Sequence, residues 1–107
     1  MNINTGSFGN CEMASIFGEV DNTLHSQLVN IIRKGNPRLV LNLEFVTSWV
    51  GDVPKTLLQI QDICLKQGGD LVLANVPSKL LAEIRLIDKL NQLKETGSLG
   101  QAASYFN

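Results

Sequence analysis

The chain has 107 residues, with nine basic and ten acidic side chains, one His, two Cys and 44% hydrophobic content. That length suits a single domain over residues 1–107 and is too short for two, and the apolar share excludes global disorder. A formal charge of −1 gives no electrostatic basis for binding nucleic acid or an anionic membrane. No apolar stretch approaches the roughly 18 residues of a spanning helix, so no direct membrane insertion is expected. The start, Met1-Asn2-Ile3-Asn4-Thr5-Gly6, lacks the charged and then apolar order of a signal segment, which points to a soluble cytoplasmic protein.

Residues Ile3 to Phe8 suggest a weak first edge strand, and Glu12 to Val20 a better one. Asp21-Asn22 then opens a helix whose apolar positions Leu24, Leu28, Ile31 and Ile32 form one stripe. Arg33 and Lys34 complement the dipole in its last turn, and Gly35-Asn36-Pro37 ends it. His25 lies one position off the stripe; it has no His or Cys partner at ligand spacing and is read as facing solvent or hydrogen-bonded locally. Cys11 and Cys64 are far apart, without metal-ligand spacing, and read as buried residues, with a redox pair as the alternative.

The centre of the chain carries the clearest pattern. Arg38-Leu39-Val40-Leu41-Asn42-Leu43 is an apolar run of strand length, of the kind covered on both faces by helices. A loop is expected over Val46–Val53, followed by a helix from Lys55 to Gln67. Asp52 is its cap, Pro54 sits in its first turn and Gly68-Gly69 is its stop. Asp70-Leu71-Val72-Leu73-Ala74 is a second buried strand, and together the pieces make a parallel βαβ unit. Pro77 starts a third helix with Leu80, Leu81, Ile84 and Ile87 inward. Asp88 to Thr96 is an ambiguous connector that could hold a short strand at Asn91-Gln92-Leu93. Ser98-Leu99-Gly100-Gln101 has the form of a capping box and opens a last helix through Phe106. The expected architecture is an α/β sandwich with a mixed sheet of four to five strands and about four helices.

Five segments resemble the STAS family, named for sulphate transporters and anti-sigma factor antagonists. Gly18-Glu19-Val20-Asp21 is similar to the family's Gly-Glu-Leu-Asp, and Leu39 to Leu43 to its Leu-Val-Leu-Asp-Leu strand. Gly68 to Ala74 and the turn Asn75-Val76-Pro77 resemble its Gly-Gly strand and the entry to its third helix. Ser98 to Ala102 resembles its Ser-Leu-Glu-Glu-Ala helix start. The resemblance spans Glu12 to Phe106 and implies a STAS-like sandwich.

The family's Asp-Ser-Ser-Gly-Leu loop is replaced here by Val50-Gly51-Asp52-Val53-Pro54. In that register Asp52 stands where bacterial anti-sigma factor antagonists carry the Ser that a partner kinase phosphorylates. Asp52 cannot accept phosphate as Ser does. It is either a permanent partial imitation of phosphoserine, with less charge and fewer oxygens, or only a helix cap. Trp49 is either a lid on the core or part of a docking patch with Pro54 beside Asp21 and Asp52.

The resemblance implies a non-enzymatic interaction module of the antagonist type. It would bind a histidine-kinase-like anti-sigma factor or switch kinase through Asp21, Trp49, Gly51, Asp52, Val53, Pro54 and Lys55. The alternative is an accessory or scaffold subunit of a transporter or multi-protein sensory complex. An enzyme is disfavoured: one His, no Gly-x-Ser-x-Gly turn and no glycine-rich phosphate loop are present. No cofactor or metal is expected, and the sequence leaves homo-oligomer formation open.

Overall fold

Continuous buried runs at Leu39–Leu43 and Leu71–Ala74 form the centre of a five-stranded sheet whose strands lie side by side in chain order. A computed structural model describes residues 1–106. The strands are β1 (Asn2–Phe8), β2 (Cys11–Val20), β3 (Arg38–Trp49), β4 (Asp70–Ala74) and β5 (Lys94–Thr96). The helices are α1 (Leu24–Lys34), α2 (Val53–Lys66), α3 (Ser78–Ile87) and α4 (Leu99–Ser104). β1 and β2 form an antiparallel hairpin, and β2 to β5 run parallel, so the sheet is mixed.

Each parallel step moves one strand further in the same direction. Crossovers of one hand therefore place α1, α2 and α3 on one face. The main core lies there: Leu39, Leu41 and Leu43 of β3 meet Leu28 and Ile32 of α1, Leu57, Ile60 and Cys64 of α2, and Leu80 of α3. Truncating Leu57, which has no exposed surface, to Ala is expected to cost about 2–5 kcal/mol. The alternate residues Val40, Val72 and Ala74 face the opposite side, where Ala102 and Ala103 of α4 cover them with Cys11. α4 is short and leaves the β1–β2 side of that face open; there Phe17 and Phe45 stack at 4.7 Å with rings 6° apart.

The anticipated α/β sandwich is present, with four differences in detail. First, β3 runs on to Trp49, so Val46 to Trp49 is strand and not loop. Two register shifts against β2 explain this: Ser15 pairs with Asn42 but Phe17 with Phe45, and Gly18 pairs with Val46 but Glu19 with Ser48. Each shift inserts one extra residue into β3 and resets which face its side chains occupy. Second, the short strand lies at Lys94–Thr96 and not at Asn91–Leu93. The Asp88 carboxylate takes the N–H groups of Gln92 and Leu93, both at 2.8 Å, and Asn91 sits at φ +53, so no ladder can start before Lys94. Third, α1 starts at Leu24, after an Asp21–Thr23 turn, rather than at Asp21-Asn22. Fourth, Leu65 and Ile87, expected inward, are exposed.

Helix ends follow their local chemistry. Ser98 Oγ accepts from the Gln101 N–H at 3.2 Å, the N-cap half of the anticipated capping box. α2 ends with the Gly69 N–H on the Cys64 carbonyl and the Gly68 N–H on the Leu65 carbonyl, the paired bonds of a Schellman motif. Gly69 then passes so near β3 that a Cβ would lie 2.1 Å from the Pro37 carbonyl oxygen.

Candidate functional site

The β3–α2 turn and the β2–α1 turn meet at one end of the sheet. The Val50 N–H donates to the Val20 carbonyl at 3.1 Å, which fixes the two exits together. Gly51 turns the chain at φ +78, a conformation that disfavours side chains with a Cβ. Asp52 follows as the N-cap of α2, and its Oδ1 accepts from the Lys55 N–H at 3.1 Å. The Thr56 N–H and hydroxyl both donate to the Asp52 carbonyl. Val53 and Pro54 occupy the first two helical positions and are buried. Pro54 costs nothing there, because the N–H it lacks would have no helical partner.

Asp21 is organised by its own turn. Its Oδ1 accepts from the Thr23 N–H at 2.9 Å and from the Thr23 hydroxyl. These two bonds, the hydroxyl bond first, hold its carboxyl below the usual carboxylate range. Thr23 itself anchors α1, accepting from Gln27 Nε2 at 2.7 Å on its hydroxyl and from the Gln27 N–H at 3.0 Å on its carbonyl.

Asp21 and Asp52 line one cleft of about 140 Å³ with Asn22, His25, Gly51 and Thr56. Drug-sized ligands occupy roughly 300–1,000 Å³, so this cleft is undersized for one and better suited to a protruding side chain. Among the described residues no group of three His, Cys, Asp or Glu side chains could hold a metal ion. Cys64 is buried in the main core from the inner side of α2, and burial, aided by the nearby Asp70 charge, pushes its thiol up to about 12. Cys11 is also free and buried, its thiol pushed up by the same desolvation, so neither presents a reactive thiolate near neutral pH.

The anticipated site residues thus divide. Asp21, Gly51, Asp52 and Val53 come together around the cleft, and Lys55 is exposed at the start of α2. Val53 and Pro54 pack inward, so the expectation that Pro54 joins an exposed docking patch does not hold; both shape the turn from below. Trp49 is half-buried at the end of β3 and faces α3: its Nε1 donates to Glu83 Oε2 at 3.0 Å. It lines a separate, wider groove with Val46, Pro77 and Lys79. Sequence reading missed Asn22, His25 and Thr56 as cleft residues. His25 and Thr56 lie in the first turns of α1 and α2, whose starts both border the cleft, a proximity that no local sequence signal carries.

No protein-family model matches the sequence, and no curated protein matches it. Solved structures do match in shape. A Thermotoga maritima protein provisionally assigned as an anti-sigma factor antagonist superimposes with a TM-score of 0.82 at 15% identity, over 96% of this chain and 92% of its own. The Planctomyces limnophilus anti-sigma-factor antagonist (STAS) domain protein gives 0.76 at 14% identity, over 98% of each chain. The Bacillus cell fate determinant SpoIIAA in its phosphorylated form gives 0.74 at 12% identity, over 99% of this chain and 100% of its own. With the β1–β2 hairpin, three parallel crossovers and α4 on the far face, this chain has the STAS fold.

Proposed function

We propose that the chain is a non-enzymatic interaction module of the anti-sigma factor antagonist type. It docks a histidine-kinase-like anti-sigma factor or switch kinase at the Asp21–Asp52 cleft. The observation that carries this reading is the meeting of Asp21 and Asp52 in one cleft at the start of α2, on a STAS fold. The family resemblance assigns the Asp52 position to the regulated Ser. A carboxylate there presents a fixed negative charge where the regulated module would gain phosphate, and the α2 dipole stabilises it by roughly 0.3–1 kcal/mol. This copy is therefore not switched by phosphorylation at that position: it is constitutively bound, constitutively released or assigned to a different partner. Asp21, Gly51, Asp52 and Lys55 form the contact surface, and Trp49 braces β3 from behind.

Asp52→Lys is the test, with circular dichroism confirming the fold. Affinity for the kinase-like partner should fall more than about tenfold, or 1.4 kcal/mol. Unchanged affinity would remove the cleft from the mechanism. A second reading, a scaffold or accessory subunit, draws on Val50 and Asp52, which replace the Asp and Ser of the family's phosphorylation loop. Under it the module binds transporter or scaffold subunits and no kinase.

A further inference from the structure

The sheet ends at β1, which pairs with β2 alone and without interruption, from Asn2↔Phe17 to Phe8↔Cys11. Phe8 and Cys11 flank a two-residue turn with Gly9 at φ +61, the sign a type II′ turn uses at its first central position. Residues flanking such a turn form a hydrogen-bonded pair, and bonded positions then alternate along the strand. Asn2, Asn4, Gly6 and Phe8 therefore direct their backbone groups to β2. Ile3, Thr5 and Ser7 direct theirs outward, and among the described residues none pairs with that edge.

Exposed edges are normally guarded by charge, proline, a bulge or a covering segment. β1 reads Asn-Ile-Asn-Thr-Gly-Ser-Phe: it has no charged residue and no proline, and its register with β2 has no bulge. We propose that β1 pairs antiparallel with β1 of a second copy of this chain, about a two-fold axis at Thr5, joining the two sheets into one.

The register follows from symmetry. Opposed residues in an antiparallel pair share a face, so a two-fold pairing must set one residue against itself. Centred on Thr5, it also sets Ile3 against Ser7 of the copy. All three outward-bonding positions are then matched, giving about six backbone hydrogen bonds. Centring on Ile3, Asn4, Gly6 or Ser7 would run part of the strand off its partner's end.

The strand's chemistry selects a copy over a charged partner. A neutral edge offers nothing to choose a charged strand, and nothing in it repels itself. On the open face, Phe8 is 45% exposed. The pairing lays Phe8 of the copy beside Asn2, whose other neighbour is Phe17 of the aromatic stack. Asn4 meets Gly6 of the copy, which has no side chain to obstruct it. The axis also sends the two Asp21–Asp52 clefts to opposite ends of the joined sheet, and the mass on the column reads self-association without reference to docking.

Light scattering on a sizing column, over a wide concentration range, tests the state; oxidative crosslinking tests the register. Wild type should show the mass of two chains, and Thr5→Lys, which opposes like charges across the axis, the mass of one. Thr5 is exposed, so this variant should keep the wild-type circular dichroism spectrum. Thr5→Cys should link two chains, because Cα atoms of a bonded pair lie about 5.5 Å apart, within disulfide range. Ser7→Cys should not, since the two copies of residue 7 are offset by four positions, about 13 Å along the strand. Cys11 and Cys64 are buried and do not interfere. A wild type that stays a single chain, a dimer that survives Thr5→Lys, or Ser7→Cys linking as readily as Thr5→Cys would overturn the proposal.

Discussion

At Asp52 one carboxylate closes the first turn of α2 and also lines the cleft shared with Asp21. The two roles separate by substitution. Asn caps a helix about as well as Asp, so Asp52→Asn should keep the melting temperature and lose only the charge. Asp52→Ala should lose both, at about 0.5–2 kcal/mol in chemical denaturation. Equal binding by the Asn variant and wild type would show that cleft charge plays no part. Gly69 is constrained by space. A Cβ would sit 2.1 Å from the Pro37 carbonyl, backbone that cannot swing aside. Gly69→Ala should cost about 2–3 kcal/mol in urea, and a neutral result would mean that the α2–β4 turn shifts freely against β3.

Titration at two residues adds pH dependence. Cys64 holds its proton up to about 12 in the fold, against an ordinary thiol value of 9.0. Its contribution to stability is complete below about 9 and is lost as pH rises towards about 12. Cys64→Ala should flatten that alkaline limb, though it lowers stability at neutral pH; an unaltered limb would assign it to other groups. Asp21 has the opposite sign. Its carboxyl is lowered by the Thr23 hydrogen bonds, so its contribution is present at neutral pH and is lost as pH falls through its folded value.

Among the elements, the helices and the short central strands were legible because each has one uninterrupted period. The apolar stripes of α1 and α2 and the continuous run of β4 fall where burial requires them. β3 was legible only to Leu43. Beyond it, the first bulge moves the core-facing positions from odd (Leu39, Leu41, Leu43) to even (Val46), which reads as loss of period although pairing with β2 continues to Trp49. β5 was misplaced by three residues because a side chain, Asp88, decides where its ladder can start. The end of β3 explains Trp49. It packs partly on the core and bonds Glu83 of α3, so it ties strand to helix. Trp49→Ala should therefore lower the melting temperature while binding changes by less than about 1 kcal/mol, in contrast to an interface anchor. A binding loss above that, with unchanged stability, would restore Trp49 to the docking surface.

In the whole molecule, five strands, three same-handed crossovers and α4 on the reverse face bring the β2 and β3 exits together, and this alone creates the Asp21–Asp52 cleft. The composition of that cleft could be read in part. Asp21, Gly51 and Asp52 carried turn and cap signals, whereas Asn22, His25 and Thr56 enter only because α1 and α2 start side by side. The cleft that would meet a partner and the edge that would meet a second copy adjoin at Met1, whose amine lies 4.0 Å from Asp21 Oδ2. The central claim concerns the cleft, and paired affinity capture from the native cells, with wild type and Asp52→Lys as baits, tests it most directly. A histidine-kinase-like regulator held by wild type and absent from Asp52→Lys is the expected result. Capture of that regulator by both baits, or of transporter or scaffold subunits with no kinase, would contradict it.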